Sequence, residues 1–228
     1  MFVRESHDDP DIGGTMKGTT HLAIGVAIGA AAVSYYPFSL KNAALYMAVA
    51  AFSALSADLD GPSMLSGKLG SLAKLLREGM LWGGVLLGCW LVFLYADGRP
   101  FDPRLAAAAL LLLLLGFVTK EGVLRNALVS AVGAGTLYAG VQTGMSWLLG
   151  LGAFVAVAPW LKHRGMTHTL WALLLWGFIG RGMESELYVE GLALVATAGY
   201  VSHLLADTVT PSGVKWLYPL YKKALKLK

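Results

Sequence analysis

The stretch LAAAALLLLLLGFV, residues 105–118, decides the fold class because it contains no charged or polar side chain. It lies within a window close to the ~20 residues that a helix needs to cross the hydrocarbon of a bilayer. Residues 81–95 form a second run of this kind. Of the 228 residues, 56% are hydrophobic and only 14% are charged, a composition typical of membrane proteins rather than of soluble domains. We therefore predict an all-α protein that spans a membrane.

We predict a polytopic transmembrane bundle of about eight helices, with six to eight as the range. The apolar segments are residues 20–36, 41–57, 79–96, 104–119, 125–142, 145–161, 168–182 and 187–206. The fifth segment is rich in glycine and is either broken or shallow, or packs closely against a neighbour. No internal repeat separates domains. We take residues 1–228 as one integral membrane domain with a polar segment at 1–18 and a basic amphipathic tail at 214–228.

Two further segments are predicted as amphipathic helices in the headgroup layer of the membrane, residues 65–77 and residues 216–228. Both mix leucine or aromatic residues with lysine. The tail has a second interpretation as a basic end without regular structure.

The distribution of basic residues predicts the orientation in the membrane. With eight spans, most of the 18 lysine and arginine residues share a side with both termini. The opposite side keeps only Lys41, Arg99, Arg104 and Arg181. The positive-inside rule then places both termini in the cytoplasm of a multi-pass inner-membrane protein. Basic residues spread over loops in this way argue against nucleic-acid binding, and the single cysteine, Cys89, excludes a disulfide within one chain.

Ionisable residues near the spans mark a site, because each Asp, Lys or Arg at a helix centre costs about 2.5–3.5 kcal/mol on insertion scales. They occur in four stretches, each at a predicted helix end on the side of the termini. His21 begins the first helix, Asp58 and Asp60 end the second, two histidines flank the join of the sixth and seventh, and His203 and Asp207 end the eighth. Taken alone, His21 is equally well an interfacial residue. Together, the four stretches predict one site on one face.

Two of these stretches each contain a pair of candidate ligands, in one case a histidine with an acid and in the other two acids. His203 and Asp207 are four residues apart and so share a helix face. They can ligate one metal, or Asp207 can orient the histidine. Asp58 and Asp60 would point about 200° apart on a continuing helix. An extended exit after Asp58 would let both acids, or one acid and its neighbouring backbone carbonyl, approach one cation.

The stretch KHRGMTHTL, residues 162–170, places two histidines and an arginine around a glycine. His163 and His168 are five apart and cannot share one helix face, so a bent loop is predicted there. Thr167 is predicted to cap the helix that follows. Arg164 either binds an anionic group of the substrate through its planar guanidinium or anchors the loop at the membrane face.

The four stretches resemble the YdjM-like family of LexA-regulated, membrane-bound metal-dependent hydrolases of bacterial inner membranes. The family pattern is a TH near the start, a PD[IL]DH element, HRGxTHS, and GYxSHLLxDxxTPxG before a hydrophobic tail. This chain carries TTH at 19–21, DLD at 58–60, HRGMTHT at 163–169 and nearly the whole last element at 199–213. Most of the chain is covered. The resemblance implies the fold and a metal-dependent hydrolase, without a substrate.

Two departures from the family pattern bear on the site. Ala57 stands where the family often has proline, and Gly61 stands where it often has histidine. The second leaves open whether this chain lacks one metal ligand.

The leading functional prediction is hydrolysis of an ester or phosphoester in a lipid or lipid-linked molecule at the cytoplasmic membrane face. The expected partners are therefore membrane lipids. A metal would lower the pKa of bound water and polarise the scissile group. Mixed histidine and carboxylate ligands favour Zn²⁺ or Mn²⁺ over Mg²⁺. The predicted ligands are His21, Asp58, Asp60, His168, His203 and Asp207.

These six ligands exceed the four that a zinc ion usually takes. Either two ions bind, or some of these residues support the ligands. His163 is predicted to transfer a proton and Arg164 to bind a negative oxygen, with Thr167 and Thr210 as further substrate contacts.

Two alternatives are non-enzymatic. A metal- or proton-coupled transporter would line its pathway with intramembrane His and Asp, although it should then show polar groups on both faces. A metal-stabilised scaffold would recruit partners through the basic tail.

Overall fold

The computed structural model describes residues 16–227, and within this range the chain forms eight α-helices and no β-strand. The all-α prediction and the expected number of helices are confirmed. The predicted polar segment 1–18 lies mostly outside the described residues. The helices are α1 (Gly18–Tyr35), α2 (Leu40–Ser56), α3 (Gly67–Ala96), α4 (Pro103–Val118), α5 (Glu121–Thr143), α6 (Ser146–Val157), α7 (Leu170–Leu187) and α8 (Leu192–Thr208).

Fewer helices than eight are long and apolar enough to cross a membrane. Within residues 16–227, three segments meet that condition: α1, α2 with the turn that follows it to Asp60, and α3. The α4–α5 pair is bent by 96° and counts as a fourth if it forms one broken span. The orientation derived from eight spans therefore stays a prediction.

The glycine-rich fifth segment is a continuous helix, and the break lies before it, between α4 and α5. Of the two interpretations offered for its glycines, close packing is the one that the structure shows. Gly133 lies directly against the backbone of Ala156 in α6, where a Cβ atom would collide. Small residues allow helices to approach in this way.

The segment 65–77 does not form a separate interfacial helix. It is the first part of α3, which runs unbroken for 30 residues from Gly67 to Ala96. No proline interrupts this stretch, and isolated glycines such as Gly70 and Gly79 lower helix stability by only about 1 kcal/mol each. The prediction of two helices was therefore wrong.

The chain divides into two compact units, which we describe separately. Unit 1 comprises Met1–Leu65 and Gly133–Lys228, and unit 2 comprises Ser66–Val132. Unit 2 pairs α3 with α4, where Gly84 and Gly116 let the two backbones approach. All ionisable residues of the predicted site lie in unit 1.

Unit 1 is held together by close approach of α1 and α8 to α2. A Cβ atom on Gly25 would lie 2.8 Å from the Cβ of Ala54, and one on Gly199 would lie 2.8 Å from the carbonyl oxygen of Ala50. Helix α7 packs on α8 and α6. Trp176 of α7 is buried in this core and donates its indole N–H to Ser53 of α2 at 2.9 Å. These contacts bring the N-terminus of α1 and the C-termini of α2 and α8 to one end of the unit.

The tail from residue 214 forms no helix within the described residues, so the predicted amphipathic helix is wrong. It folds back on unit 1 instead. Val214 pairs with Leu225 through backbone hydrogen bonds of 3.1 and 2.9 Å. Trp216 accepts from the backbone N–H of Leu170 at 2.8 Å and donates its indole N–H to Thr208 at 3.1 Å. The backbone N–H at the start of α7 thus finds its partner in the tail.

Candidate metal centre

Four chain segments meet at one end of unit 1. The first turn of α1 carries His21, and the 3₁₀ turn Ala57–Asp60 after α2 carries both acids. The 3₁₀ turn Met166–His168 precedes α7, and the last turns of α8 carry His203 and Asp207. The structure therefore brings together all of the predicted ligands.

The centre of the site consists of four donor atoms from four residues. The Nε2 atoms of His168 and His203 lie 3.3 Å apart. Oδ1 of Asp58 lies 3.5 Å from the first nitrogen and 3.6 Å from the second. Oδ2 of Asp207 lies 3.6 and 3.8 Å from the same two nitrogens. Each of the two carboxylate oxygens thus lies within 3.8 Å of both nitrogens, and the ligand atoms of Asp58, His168 and His203 all lie within 4.8 Å of one another.

Hydrogen bonds on the far side of each ring determine where the imidazole hydrogens lie. Nδ1 of His203 is 2.7 Å from the carbonyl oxygen of Ala54, which can only accept, so Nδ1 carries the hydrogen. The Thr167 hydroxyl donates to Asp60 at 2.5 Å and lies 3.0 Å from Nδ1 of His168, so its oxygen accepts from that ring. In the neutral rings, both Nε2 atoms therefore present lone pairs to each other, and a metal ion or a proton between them would relieve the repulsion.

The donor set fits a divalent metal. Around an ion with bonds of about 2.0–2.2 Å, tetrahedral ligands lie roughly 3.3–3.6 Å apart, close to the one N–N and four N–O separations given above. The carboxylates of Asp58, Asp60 and Asp207 outnumber the one guanidinium of Arg164, so with neutral imidazoles the cluster carries two negative charges. Two imidazoles with two carboxylates suit Zn²⁺ or Mn²⁺.

Burial and charge act in opposite directions on His168, which is fully buried. Burial lowers the pKa of its imidazole. Hydrogen bonds to the carboxylates of Asp207, Asp58 and Asp60 outweigh burial and raise the pKa to about 10. In the absence of a metal, a proton therefore takes the place of the cation on this ring.

Asp60 occupies a different position from Asp58, because the chain leaves α2 through a 3₁₀ turn and not in the extended form predicted. Its Oδ1 lies 2.7 Å from Nδ1 of His163. Its Oδ2 accepts from the backbone N–H of Arg164 at 3.0 Å and from Thr167. Asp58, Asp60 and His163 are also close enough to hold an ion, but both oxygens of Asp60 already accept hydrogen bonds. Its metal ligation stays a prediction.

Arg164 adopts a left-handed backbone conformation with φ of 56°, which is uncommon for any residue other than glycine and is often found at functional sites. Its N–H bond to Asp60 holds this conformation. Its Nη2 donates to Oδ2 of Asp207 at 2.8 Å. Among the described residues, the buried Nη1 has no hydrogen-bond partner. The guanidinium therefore supports one donor residue and keeps a free N–H beside it.

His163 lies at the solvent edge of the site, with half of its side chain exposed. Its ring covers Gly61: a Cβ atom there would lie 3.0 Å from Nδ1 of His163. A side chain at position 61 must therefore displace this ring.

His21 stacks on His203, with ring centroids 3.9 Å apart and planes 20° apart. Its Nε2 lies 3.4 Å from Oδ1 of Asp207. His21 is 1% exposed. It is therefore part of the buried cluster and not an interfacial residue.

The predicted threonines have other contacts. Thr169, and not Thr167, caps α7 by accepting from the backbone N–H of Ala172 at 3.3 Å, because the 3₁₀ turn delays the start of the helix. Thr210 donates to the carbonyl oxygen of Asp207 at 2.7 Å, where α8 ends. The substrate contacts predicted for Thr167 and Thr210 stay predictions.

Sequence reasoning missed two groups that position the ligands. Tyr200 is fully buried and donates to the carbonyl oxygen of Thr167 at 2.6 Å. Its position three residues before His203, on the same helix face, was an available signal. The carbonyl of Ala54 that orients His203 carries no such signal, since every residue has one.

Comparison with known proteins yields one match. The sequence model of the YdjM inner membrane protein family matches residues 16–228, nearly the whole chain. No curated protein and no solved structure matches it.

Proposed function

The chain belongs to the YdjM inner membrane protein family, and from this premise we propose that it is a membrane-bound, metal-dependent hydrolase. Its substrate is an ester or phosphoester of a lipid or lipid-linked molecule, processed at the cytoplasmic face of the inner membrane. The observation that carries the proposal is the convergence of two imidazole nitrogens and two carboxylate oxygens, 3.3 to 3.8 Å apart in the measured pairs.

The residues that hold the metal are Asp58, His168, His203 and Asp207, and the ion is Zn²⁺ or Mn²⁺. When bound, such an ion lowers the pKa of a water and polarises the scissile group. Asp58 is the most accessible of the four, with 22% of its side chain exposed, whereas the others are 2% exposed or less. Substrate therefore approaches from the side of Asp58.

Two residues beside the metal ligands have the remaining catalytic roles. His163, held by Asp60 and half exposed, transfers the proton between the reacting groups and solvent. Arg164 binds a negative oxygen of the substrate through the N–H that no described residue engages. A planar guanidinium is suited to phosphate and carboxylate oxygens.

The end of unit 1 opposite the metal centre gives less support to a transporter than to a hydrolase. Three charged residues described there bond to backbone groups at helix ends. Lys41 donates to the carbonyl oxygen of Leu187 at 3.0 Å, Glu184 accepts from the backbone N–H of Ala193 at 2.8 Å, and Glu186 accepts from the backbone N–H of Ser146 at 3.0 Å.

Elemental analysis of the detergent-purified chain tests the proposal. Wild type should contain Zn²⁺ or Mn²⁺, and Asp58→Asn and His203→Gln should each lose it. Asp97→Asn is a matched control because Asp97 is exposed at the end of α3 in unit 2.

His163→Gln separates catalysis from metal binding. This variant should keep its metal and hydrolyse lipid phosphoesters or carboxylic esters about 10²- to 10⁴-fold more slowly, the usual contribution of a general acid or base. If folded wild type binds neither Zn²⁺ nor Mn²⁺ when these are supplied, the hydrolase proposal fails, and a proton-coupled transporter is the alternative that takes its place.

A further inference from the structure

The carboxylate of Asp207 faces two histidines with its two oxygens. Oδ2 lies 3.8 Å from Nε2 of His203 and accepts from Arg164. Oδ1 lies 3.4 Å from Nε2 of His21 and, among the described residues, has no hydrogen-bond partner. The side chain of Asp207 is 2% exposed. A buried carboxylate oxygen without a partner is rare and points to a missing ion or water.

His21 has no evident structural purpose in its present surroundings. It is buried within an apolar helix, and its Nδ1 also has no hydrogen-bond partner among the described residues. Its ring is stacked on that of His203, so the two imidazoles lie side by side at the edge of one carboxylate. The ligand atoms of His21, His203 and Asp207 all lie within 4.8 Å of one another.

The geometry points to a second divalent cation, held between Nε2 of His21 and Oδ1 of Asp207, with the Asp207 carboxylate bridging the two ions. This inference rests on the proposed function, which supplies the first ion on Oδ2 of Asp207. Paired ions in hydrolytic sites lie about 3.5–4 Å apart. The stacked rings of His21 and His203 are 3.9 Å apart, so each imidazole is placed to serve one ion of such a pair.

The second ion has only two protein ligands, because His203 uses its Nε2 for the first ion and its Nδ1 for Ala54. Its other positions are left to water and to substrate oxygens. This ion is therefore the weaker and more exchangeable of the two, and Mn²⁺, which accepts oxygen ligands readily, suits it. An oxygen of a phosphoester or carboxylic ester would fill one of the open coordination positions of this ion.

The competing explanation makes His21 a hydrogen-bond donor to a single-metal site. In that case Nε2–H of His21 would donate to Oδ1 of Asp207 over 3.4 Å, and His21 would orient the carboxylate without binding metal. The two explanations differ in the number of ions per chain and in whether those ions interact magnetically.

Titration of the chelator-treated, detergent-purified chain with Mn²⁺ decides between them, using elemental analysis for the count and electron paramagnetic resonance for the coupling. Wild type should bind two Mn²⁺ per chain and show the multiline signal of an exchange-coupled pair. His21→Gln should keep one Mn²⁺ and lose both the second ion and the coupling, since loss of a direct ligand exceeds the ~10- to 100-fold effect of a supporting residue. Thr20→Ala, at the exposed neighbour of His21, should match wild type.

Each outcome has one meaning. One ion in wild type, without coupling, overturns the second site and leaves the proposed hydrolase intact. Two coupled ions that persist in His21→Gln overturn the assignment to His21. No bound ion overturns both proposals. If His21→Gln does not fold, the count and the coupling in wild type alone still decide the number of ions.

Discussion

Replacing Asp60 by asparagine tests how the site is supported. The Asp60 carboxylate accepts from His163 at 2.7 Å, from the backbone N–H of Arg164 at 3.0 Å and from Thr167 at 2.5 Å. Asparagine keeps one accepting oxygen and has an NH₂ group, which donates, in place of the other oxygen. The oxygen can still accept from Arg164 and Thr167. The amide can donate to Nδ1 of His163 once that ring moves its hydrogen to Nε2.

The fold should survive Asp60→Asn with a moderate loss of stability. Hydrogen bonds to a charged group contribute about 1.5–3 kcal/mol and neutral ones about 0.5–1.5 kcal/mol. Losing the charge while keeping the bonds should therefore reduce the free energy of unfolding by about 1–3 kcal/mol. The buried carboxylate lies 3.5 Å from Nδ1 of His168, so its negative charge also strengthens that ring as a metal ligand.

Asp60→Asn should also weaken metal binding, by less than the loss of a direct ligand. Removing a carboxylate behind a ligating histidine typically weakens binding about 10- to 100-fold, equivalent to roughly 1.4–2.7 kcal/mol. Competition against a chromophoric chelator measures this directly on the purified chain. Asp58→Asn, which removes a direct ligand, should lose far more, and Asp97→Asn should lose nothing.

Two results would refute this reasoning. Wild-type affinity in Asp60→Asn would mean that the carboxylate does not support His168. A loss as complete as that of Asp58→Asn would mean that Asp60 itself binds the ion.

Three further predictions concern neighbouring residues. Gly61→Ala places a Cβ atom 3.0 Å from Nδ1 of His163, so the exposed ring should move away, and turnover should fall while metal content stays unchanged. Tyr200→Phe removes a 2.6 Å bond to the carbonyl oxygen of Thr167 and should lower the free energy of unfolding by about 1–3 kcal/mol, measured by thermal or chemical denaturation. Because the pKa of His168 is raised to about 10, binding must displace a proton, and metal affinity should fall roughly tenfold for each pH unit lowered below that value.

Each of these predictions has a contrary result. Metal loss in Gly61→Ala would make His163 a ligand. Unchanged stability in Tyr200→Phe would mean that the Thr167 carbonyl finds another donor. A metal affinity that does not vary between pH 6 and pH 9 would mean that His168 carries no proton before the ion binds.

The resemblance across four stretches correctly identified the family, and apolar composition predicted the all-α fold. Both follow from local properties of the chain. Hydrocarbon disfavours charged side chains, so the few Asp and His residues near apolar helices stand out. The spacing of His203 and Asp207 also placed them on one face, because a helix repeats every 3.6 residues; the closest pair of their ligand atoms is 3.8 Å apart.

Other features depend on contacts between residues far apart in sequence. Asp58 faces His168 and His203, whereas Asp60 accepts a hydrogen bond from the loop at Arg164. The 3₁₀ turn gives the two acids these different positions, and the sequence DLD alone does not predict the difference. The cap of α7 is Thr169 and not the predicted Thr167, because the hydroxyl of Thr167 is bonded to Asp60 and is therefore unavailable as a cap.

The sequence by itself therefore determined the composition of the site and its place at helix ends. Only the tertiary structure decided which atom faces which. The stacking of His21 on His203 and the bond from His203 to the Ala54 carbonyl join helices α1, α8 and α2. The physical reason is that helix periodicity orients side chains within one helix, whereas close packing of glycine against alanine between helices sets the distances that a metal requires.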